Sequence, residues 1–186
     1  PHSVQNVYLG AYGGGLRPVI RGSMADYLFS IEAYDTLFDD LDLQNPGSTV
    51  LYFRGNADGG VVYNCTVRDA GGSGVFLWSS NSKVLFSEIY NIVDDGIWVG
   101  NADTIEIAYN HIHHVNAGWY PGADQDAASG DGIQFQGYYG AGTGVDKWYV
   151  HHNVIDRTDT ANKFAIHASG REFTFGVLEY NVLSGP

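Results

Sequence analysis

The feature that most constrains this chain is a short apolar run ending in Asn that returns at a near-constant interval. It reads Val61-Val62-Tyr63-Asn64, Ile107-Ala108-Tyr109-Asn110, Tyr149-Val150-His151-His152-Asn153 and Val177-Leu178-Glu179-Tyr180-Asn181. Leu37-Phe38-Asp39-Asp40 and Val84-Leu85-Phe86-Ser87 fit with a substitution at the last place. The steps from Asp40 are 24, 23, 23, 43 and 28 residues, so the period is near 23 and the long step is one period plus insertions. Self-similarity at such a period marks stacked repeats.

Two further strand families run in phase. One is Thr49-Val50-Leu51-Tyr52-Phe53-Arg54, Gly74-Val75-Phe76-Leu77-Trp78, Asp95-Gly96-Ile97-Trp98-Val99, Asp131-Gly132-Ile133-Gln134-Phe135-Gln136 and Phe164-Ala165-Ile166-His167-Ala168. The other follows each Asn: Cys65-Thr66-Val67, Glu88-Ile89-Tyr90, His111-Ile112-His113, Val154-Ile155-Asp156 and Val182-Leu183. Polar turns such as Gly55-Asn56-Ala57-Asp58 and Gly100-Asn101-Ala102-Asp103 separate them, where Asn and Gly tolerate left-handed backbone. Three short strands per period describe a three-sided solenoid, whose coils bury their apolar sides only by stacking. Composition agrees: 25 Gly, 13 Tyr and 9 Phe stand against 1 Met and 9 Lys plus Arg, rich in strand and turn formers. A β-sandwich also yields short, evenly spaced strands, but it does not explain an in-register Asn. The expectation is an all-β, right-handed, single-stranded parallel β-helix of about six coils. Asn64, Asn110, Asn153 and Asn181 are expected to stack at one turn, with Asp40 and Ser87 as imperfect rungs. The preceding Tyr63, Phe86, Tyr109, His152 and Tyr180 are expected to form an aromatic column.

The segment Gly10-Ala11-Tyr12-Gly13-Gly14-Gly15-Leu16-Arg17-Pro18-Val19-Ile20, with Asp95-Gly96-Ile97 and Asp131-Gly132-Ile133, resembles the entry segment and repeat strand of pectin-lyase-like β-helix proteins. That group includes polysaccharide lyases, hydrolases, mannuronan epimerases, tailspikes and surface proteins. The resemblance implies a polysaccharide lying in a groove along one stacked sheet. The Asp-Pro-His-Glu motif of mannuronan epimerases is absent; its strand position carries Trp98-Val99-Gly100-Asn101.

The matching sheet here is the Asp-Gly-Ile family. Alternation along a strand places Leu51, Val75, Ile97, Ile133 and Ile166 inward. Tyr52, Arg54, Phe76, Trp78, Trp98, Gln134, Gln136, His167 and Ser169 then point outward. Aromatic rings beside amides suit sugars, and Trp78 and Trp98 are expected to form a platform for a glycan. Insertions at 117–131 and 137–147 flank the Ile133 strand and are expected to wall the groove. Lyases and epimerases need a base, a proton donor and a neutraliser of the uronate carboxylate. Lys163, His167, Arg171 and Arg54 are the candidates, with Asp95 and Asp131 as acids on adjacent coils. Those two Asp residues equally read as turn formers. Asp131 with Asp124, Asp126 or Asp94 also reads as a Ca²⁺ ligand set, so the cofactor expectation is none, or Ca²⁺. The pairs His111/His113 and His151/His152 are read as surface histidines, since no carboxylate joins them at ligand spacing.

The net charge of −12 speaks against nucleic acid and anionic membranes as partners. No apolar run approaches the 18 residues of a membrane span. The single Cys65 excludes an internal disulfide. The chain reads as one β-helix domain over residues 1–186, a fragment of a longer solenoid, with missing flanking coils or end-to-end self-association at an open end. The leading expectation is a secreted, periplasmic or cell-surface domain acting on a polysaccharide, a lyase or a glycoside hydrolase. A non-catalytic glycan-binding or adhesion module and a structural spacer are the alternatives.

Overall fold

The computed structural model describes residues 6–23, 26–45, 47–115, 130–137, 144–156, 164–170 and 175–184. Its strands are dealt in strict rotation to three parallel sheets, as a three-sided coil requires. The first sheet stacks Tyr8–Gly10, Leu37–Asp39, Val61–Tyr63, Lys83–Leu85, Asp103–Ala108, Asp146–His151 and Gly176–Glu179. The second stacks Val19–Arg21, Asp42–Gln44, Thr66–Ala70, Glu88–Ile92, His111–Val115, Val154–Asp156 and Val182–Ser184. The third stacks Tyr27–Ile31, Thr49–Phe53, Val75–Leu77, Ile97–Gly100, Ile133–Gly137 and Ile166–Gly170. The fold is a right-handed parallel β-helix, and the three strand families of the sequence are its three faces. Among the described residues no helix is long and apolar enough to cross a membrane.

Inward columns fill the coil. Phe38, Val62, Val84, Ile107 and Val150 descend the first sheet, and Leu43, Val67, Ile89, Ile112 and Ile155 the second. The third contributes Leu51, Val75, Ile97 and Ile133, with Phe53, Leu77, Val99 and Phe135 two places on. All are buried, as close packing of stacked coils demands. Ile166, on the last described coil of that sheet, is partly buried against the same core.

The Asp-Gly-Ile signature has a steric cause. A Cβ on Gly96 would stand 2.6 Å from the carbonyl oxygen of Gly132 and 2.9 Å from Ile112 Cγ2. Gly132 meets the next coil in the same way, 2.5 Å from the carbonyl oxygen of Ala165. The coils approach too closely there for a side chain.

Each corner is a column of residues with left-handed backbone. Asp35, Gly59, Asn81, Thr104 and Lys147 line the turn into the first sheet, and Asp69, Asn91 and His114 the turn after the second. The corner between the first and second sheets carries Asp40, Asn64, Phe86, Tyr109, His152 and Tyr180, with φ from 49° to 58°. Aromatic side chains ordinarily avoid this conformation, at about 1–2 kcal/mol per residue. Here ring stacking offsets the cost: Phe86–Tyr109, Tyr109–His152 and His152–Tyr180 stack at 4.7, 4.9 and 5.0 Å.

That column corrects the expected Asn register. Asn110, Asn153 and Asn181 do form a ladder. Asn181 Oδ1 accepts the Asn153 N–H, Asn153 Oδ1 accepts the Asn110 N–H, and Asn110 Oδ1 accepts the Ser87 N–H. Ser87 Oγ then accepts from the Cys65 N–H, so the next rung is Cys65, not Asn64. Asn64 and Asp40 stand one place earlier, in the left-handed column with Phe86, and Asn64 Nδ2 donates to Asp40 Oδ1. Burial holds the Cys65 thiol up at about 11, so it is an inert core group.

Candidate functional site

Register places the outward residues of the third sheet in two columns. Ser30, Tyr52, Phe76, Trp98, Gln134 and His167 follow one another coil by coil in the first. Gln136 and Ser169 pair in the second, on the side of Arg54 and Trp78. Every described third-sheet residue expected to face outward is therefore on one surface.

The rings do not form an open platform. Tyr52 stacks on Phe76 at 4.6 Å and Phe76 on Trp98 at 4.0 Å, both with planes 16° apart. Both faces of the Phe76 ring are covered by its two neighbours. Phe76 is accordingly 7 % exposed although it lies outside the core. Trp78 leans against Phe76 at 5.5 Å with a 46° tilt. The column continues to Tyr27, 4.9 Å from Tyr52. Burial raises the Tyr52 phenol above its ordinary value. Arg54 lies over the Tyr52 ring at 4.9 Å, donates to Ser30 Oγ at 2.7 Å and pairs with Glu32 at 3.4 Å. Tyr27, Ser30 and Glu32 were not among the expected site residues, because their strand carries no Asp-Gly signature.

At the other end the column turns polar. Asp95 and Asp131 occupy the same place on successive coils and are 2 % and 3 % exposed. Asp95 Oδ1 accepts the Asp131 N–H at 2.7 Å, and Asp131 Oδ1 accepts the Phe164 N–H at 2.8 Å. This is the turn-forming role, made specific: each carboxylate ties down the coil that follows. The second oxygens face the outward column. His167 Nδ1–H donates to Asp131 Oδ2 at 2.7 Å. Gln134, in the amide orientation its surroundings require, donates to Asp95 Oδ2 at 2.6 Å. The same offset thus builds Asp95–Gln134 and, one coil on, Asp131–His167. Because a carboxylate only accepts, the His167 proton sits on Nδ1 and leaves Nε2 as an acceptor. The Trp98 indole N–H is buried and finds no acceptor among the described residues.

The structure does not bring Arg54 to this end. Four coils separate it from His167, about 19 Å at strand spacing. Lys163, Arg171, Asp124 and Asp126 lie outside the described residues, as do most of the 117–131 and 137–147 insertions. Asp94 accepts a long hydrogen bond from Ser73, 3.4 Å.

On the second sheet the expectation for the histidines needs correction. Carboxylates do join them, supplied by neighbouring coils rather than by the same strand. His113 Nε2 lies 3.3 Å from Glu88 and His111 Nε2 lies 3.0 Å from Asp156.

The sequence matches the right-handed beta helix region family over residues 19–176, and the chain belongs to that family. No curated protein matches it. Among solved structures it is similar to the A-module of the mannuronan C-5 epimerase AlgE4 of Azotobacter vinelandii. Identity there is 15 %, with 98 % of this chain and 53 % of that one covered and a TM-score of 0.59. The chain therefore spans about half the length of that module. The periplasmic alginate epimerase AlgG is similar at 15 % identity over 77 % of this chain and 36 % of its own, with a TM-score of 0.44. At this identity the likeness is one of fold.

Proposed function

We propose that the chain is a carbohydrate-active β-helix domain that binds a uronate-containing polysaccharide along the outward face of its third sheet, and that it removes the proton beside the uronate carboxylate as a lyase does. The observation that supports this best is the His167–Asp131 pair at the polar end of the Tyr52–Phe76–Trp98 column. A buried carboxylate fixes the tautomer and leaves His167 Nε2 as a base facing the groove. Trp98 and Gln134 lie in the same column beside it, and the Gln134 and Gln136 amides are donors for sugar oxygens. Lys163 and Arg171 stand four residues before and after His167 in the chain and are assigned the neutralising charge. A location outside the cytoplasm belongs to the same proposal. Asp131, or Asp124 and Asp126 with it, remains the place for Ca²⁺ if the reaction needs one.

The test is a panel of uronate and neutral polysaccharides, followed by absorbance of unsaturated products and by reducing ends. Wild type is expected to release unsaturated ends from a uronate polymer, and His167→Asn to lose that activity while still binding. Activity unchanged in His167→Asn, or reducing ends without unsaturation, refutes the assigned chemistry. A non-catalytic glycan-binding module is the second reading. It is favoured by one observation: Arg54 is tied to Glu32 and Ser30 far from His167. Binding without turnover by wild type decides for it.

A further inference from the structure

The second sheet carries a separate cluster on its outward face, away from the groove. Glu88, His111 and Val154 are in register on three successive coils, and Tyr90, His113 and Asp156 form the adjacent column. The contacts run diagonally across this grid. Glu88 stands opposite His111 but meets His113, at 3.3 Å. Asp156 stands opposite His113 but meets His111, at 3.0 Å. Glu88 thereby reaches the two imidazoles, whose centroids are 4.4 Å apart, while Asp156 meets His111 from the following coil. Ligand atoms of Glu88, His111 and His113 all lie within 4.8 Å of one another.

From this convergence we propose that Glu88, His111 and His113 form a binding site for one divalent transition-metal ion of the zinc type, with Asp156 positioning the His111 ring. Ligands about 2.0–2.1 Å from a tetrahedral Zn²⁺ stand roughly 3.3 Å from each other. The 3.3 Å separation of Glu88 and His113 already lies near that edge. Two imidazoles with one carboxylate are a borderline donor set, suited to zinc rather than to the all-oxygen shells of calcium and magnesium. The surroundings hold the ligands in place. Tyr90 stacks on the His113 ring at 5.0 Å with planes 4° apart. His113 Nδ1 lies 2.6 Å from His114 Nδ1, which fixes Nε2 as the nitrogen turned to Glu88. The hydroxyl of Ser184 donates to the far oxygen of Asp156. Such outer partners orient metal ligands. Three protein ligands leave the fourth tetrahedral position to water. The ligands come from two successive coils, so the ion staples them.

The experiment uses the purified full chain, stripped with a chelator and titrated with Zn²⁺ against a chromophoric competitor, and in parallel with Co²⁺. The expected result is one Zn²⁺ per chain, an intense visible Co²⁺ spectrum of tetrahedral type, and a Tm raised by the ion. His111→Asn and His113→Asn are expected to abolish the spectrum and the Tm rise. Asp156→Asn is expected to weaken binding roughly 10–100-fold. These side chains are outside the core, and circular dichroism of the metal-free variants checks that they fold. His152→Asn, at a corner of the coil, is expected to bind as wild type. Absence of stoichiometric binding by folded wild type overturns the proposal. So does binding that survives in the folded His111→Asn/His113→Asn double variant, or a Co²⁺ spectrum of octahedral type.

Discussion

Replacing Asn153 by Ala tests the corner ladder where it is most buried. The Asn153 side chain is fully buried and bonded in every direction. Nδ2 donates to the carbonyl of Ile107 at 2.9 Å, to that of His151 at 3.1 Å and to Asn181 Oδ1 at 2.9 Å. Oδ1 accepts from the backbone N–H and the side-chain amide of Asn110, each at 3.0 Å. Carbonyls have a second lone pair, and the Asn110 amide keeps Val84, so the cost falls chiefly on the Asn110 N–H. An orphaned buried donor costs about 1–3 kcal/mol and each lost bond about 0.5–1.5 more, giving on the order of 2–4 kcal/mol in all. For a chain of this size that lowers Tm by roughly 5–15 °C. The control is Asn64, which has left-handed backbone at φ 49° and whose part-buried amide donates to Asp40 and accepts from Arg17. Asn64→Gly is expected to cost no more than about 1 kcal/mol, because Gly adopts that conformation freely and the lost bonds are part-solvated. Asn153→Gly is expected to be no better than Asn153→Ala. Urea midpoints at constant slope measure all three. An Asn153→Ala protein as stable as wild type, or an Asn64→Gly protein as damaged as Asn153→Ala, refutes the ladder register described above.

Phe76→Ala is expected to cost on the order of 3 kcal/mol in urea denaturation despite its outward position, because Tyr52 and Trp98 cover both ring faces. A surface-like loss under about 0.5 kcal/mol would show that the column adds nothing to stability. Gly96→Ala is expected to cost about 1–3 kcal/mol by driving a methyl group onto the Gly132 carbonyl, and a neutral effect on Tm would remove the steric account of Asp-Gly-Ile. Lys83 meets Glu106 at 2.6 Å on the first sheet and holds its carboxyl below the ordinary 4.5, with His151 helping and burial opposing. The stability from a depressed carboxylate is present above 4.5 and is lost as pH falls through the folded value. Lys83→Met is therefore expected to destabilise by at most about 1 kcal/mol near pH 7, the pair being partly solvated, and by progressively less as pH falls through the folded value. A deficit that does not shrink on acidification would assign the effect to packing of the lysine stem.

Much of this architecture was legible because β-helix coils are built from columns. Leu51, Val75, Ile97 and Ile133 recur at one phase of the repeat, and the coordinates put them in one buried row. Asp95 and Asp131 were recognisable as a pair for the same reason. The register error at Asn64 has a physical origin. Asn suits both the left-handed place and the ladder place beside it, so counting from Asn to Asn spaced Asn64 and Ser87 by 23 residues. The inward pair Val67 and Ile89 is only 22 apart and carries the true register. Apolar residues facing inward have one role, and an Asn at a corner has two. The Glu88–His113 and His111–Asp156 contacts were illegible because they are diagonal and because the 43-residue step separates the last coil in sequence. The Gln134–Asp95 and His167–Asp131 contacts required knowing that an aspartate can bind the next coil with one oxygen and the outward column with the other.

The three faces also show where chemistry can sit on such a fold. Strand stacking places equivalent residues about 4.8 Å apart, close enough for like side chains to satisfy one another. The Tyr52–Phe76–Trp98 rings cover each other's faces, the corner aromatics stack, and the Asn ladder closes on itself. Such columns stabilise the solenoid and leave little for a ligand. Groups become available where a column changes type. On the third sheet the change falls between Trp98 and His167, with Gln134 between them, on the coil that the 117–131 and 137–147 insertions flank in sequence. On the second sheet it falls at every rung from Glu88 to Asp156, and side chains that cannot pair along a column pair across it. The uniform stretch from Tyr52 to Trp98 is therefore assigned to stability and the mixed stretch from Trp98 to His167 to ligands. On that assignment, Phe76→Ala belongs among the stability variants and His167→Asn among the functional ones.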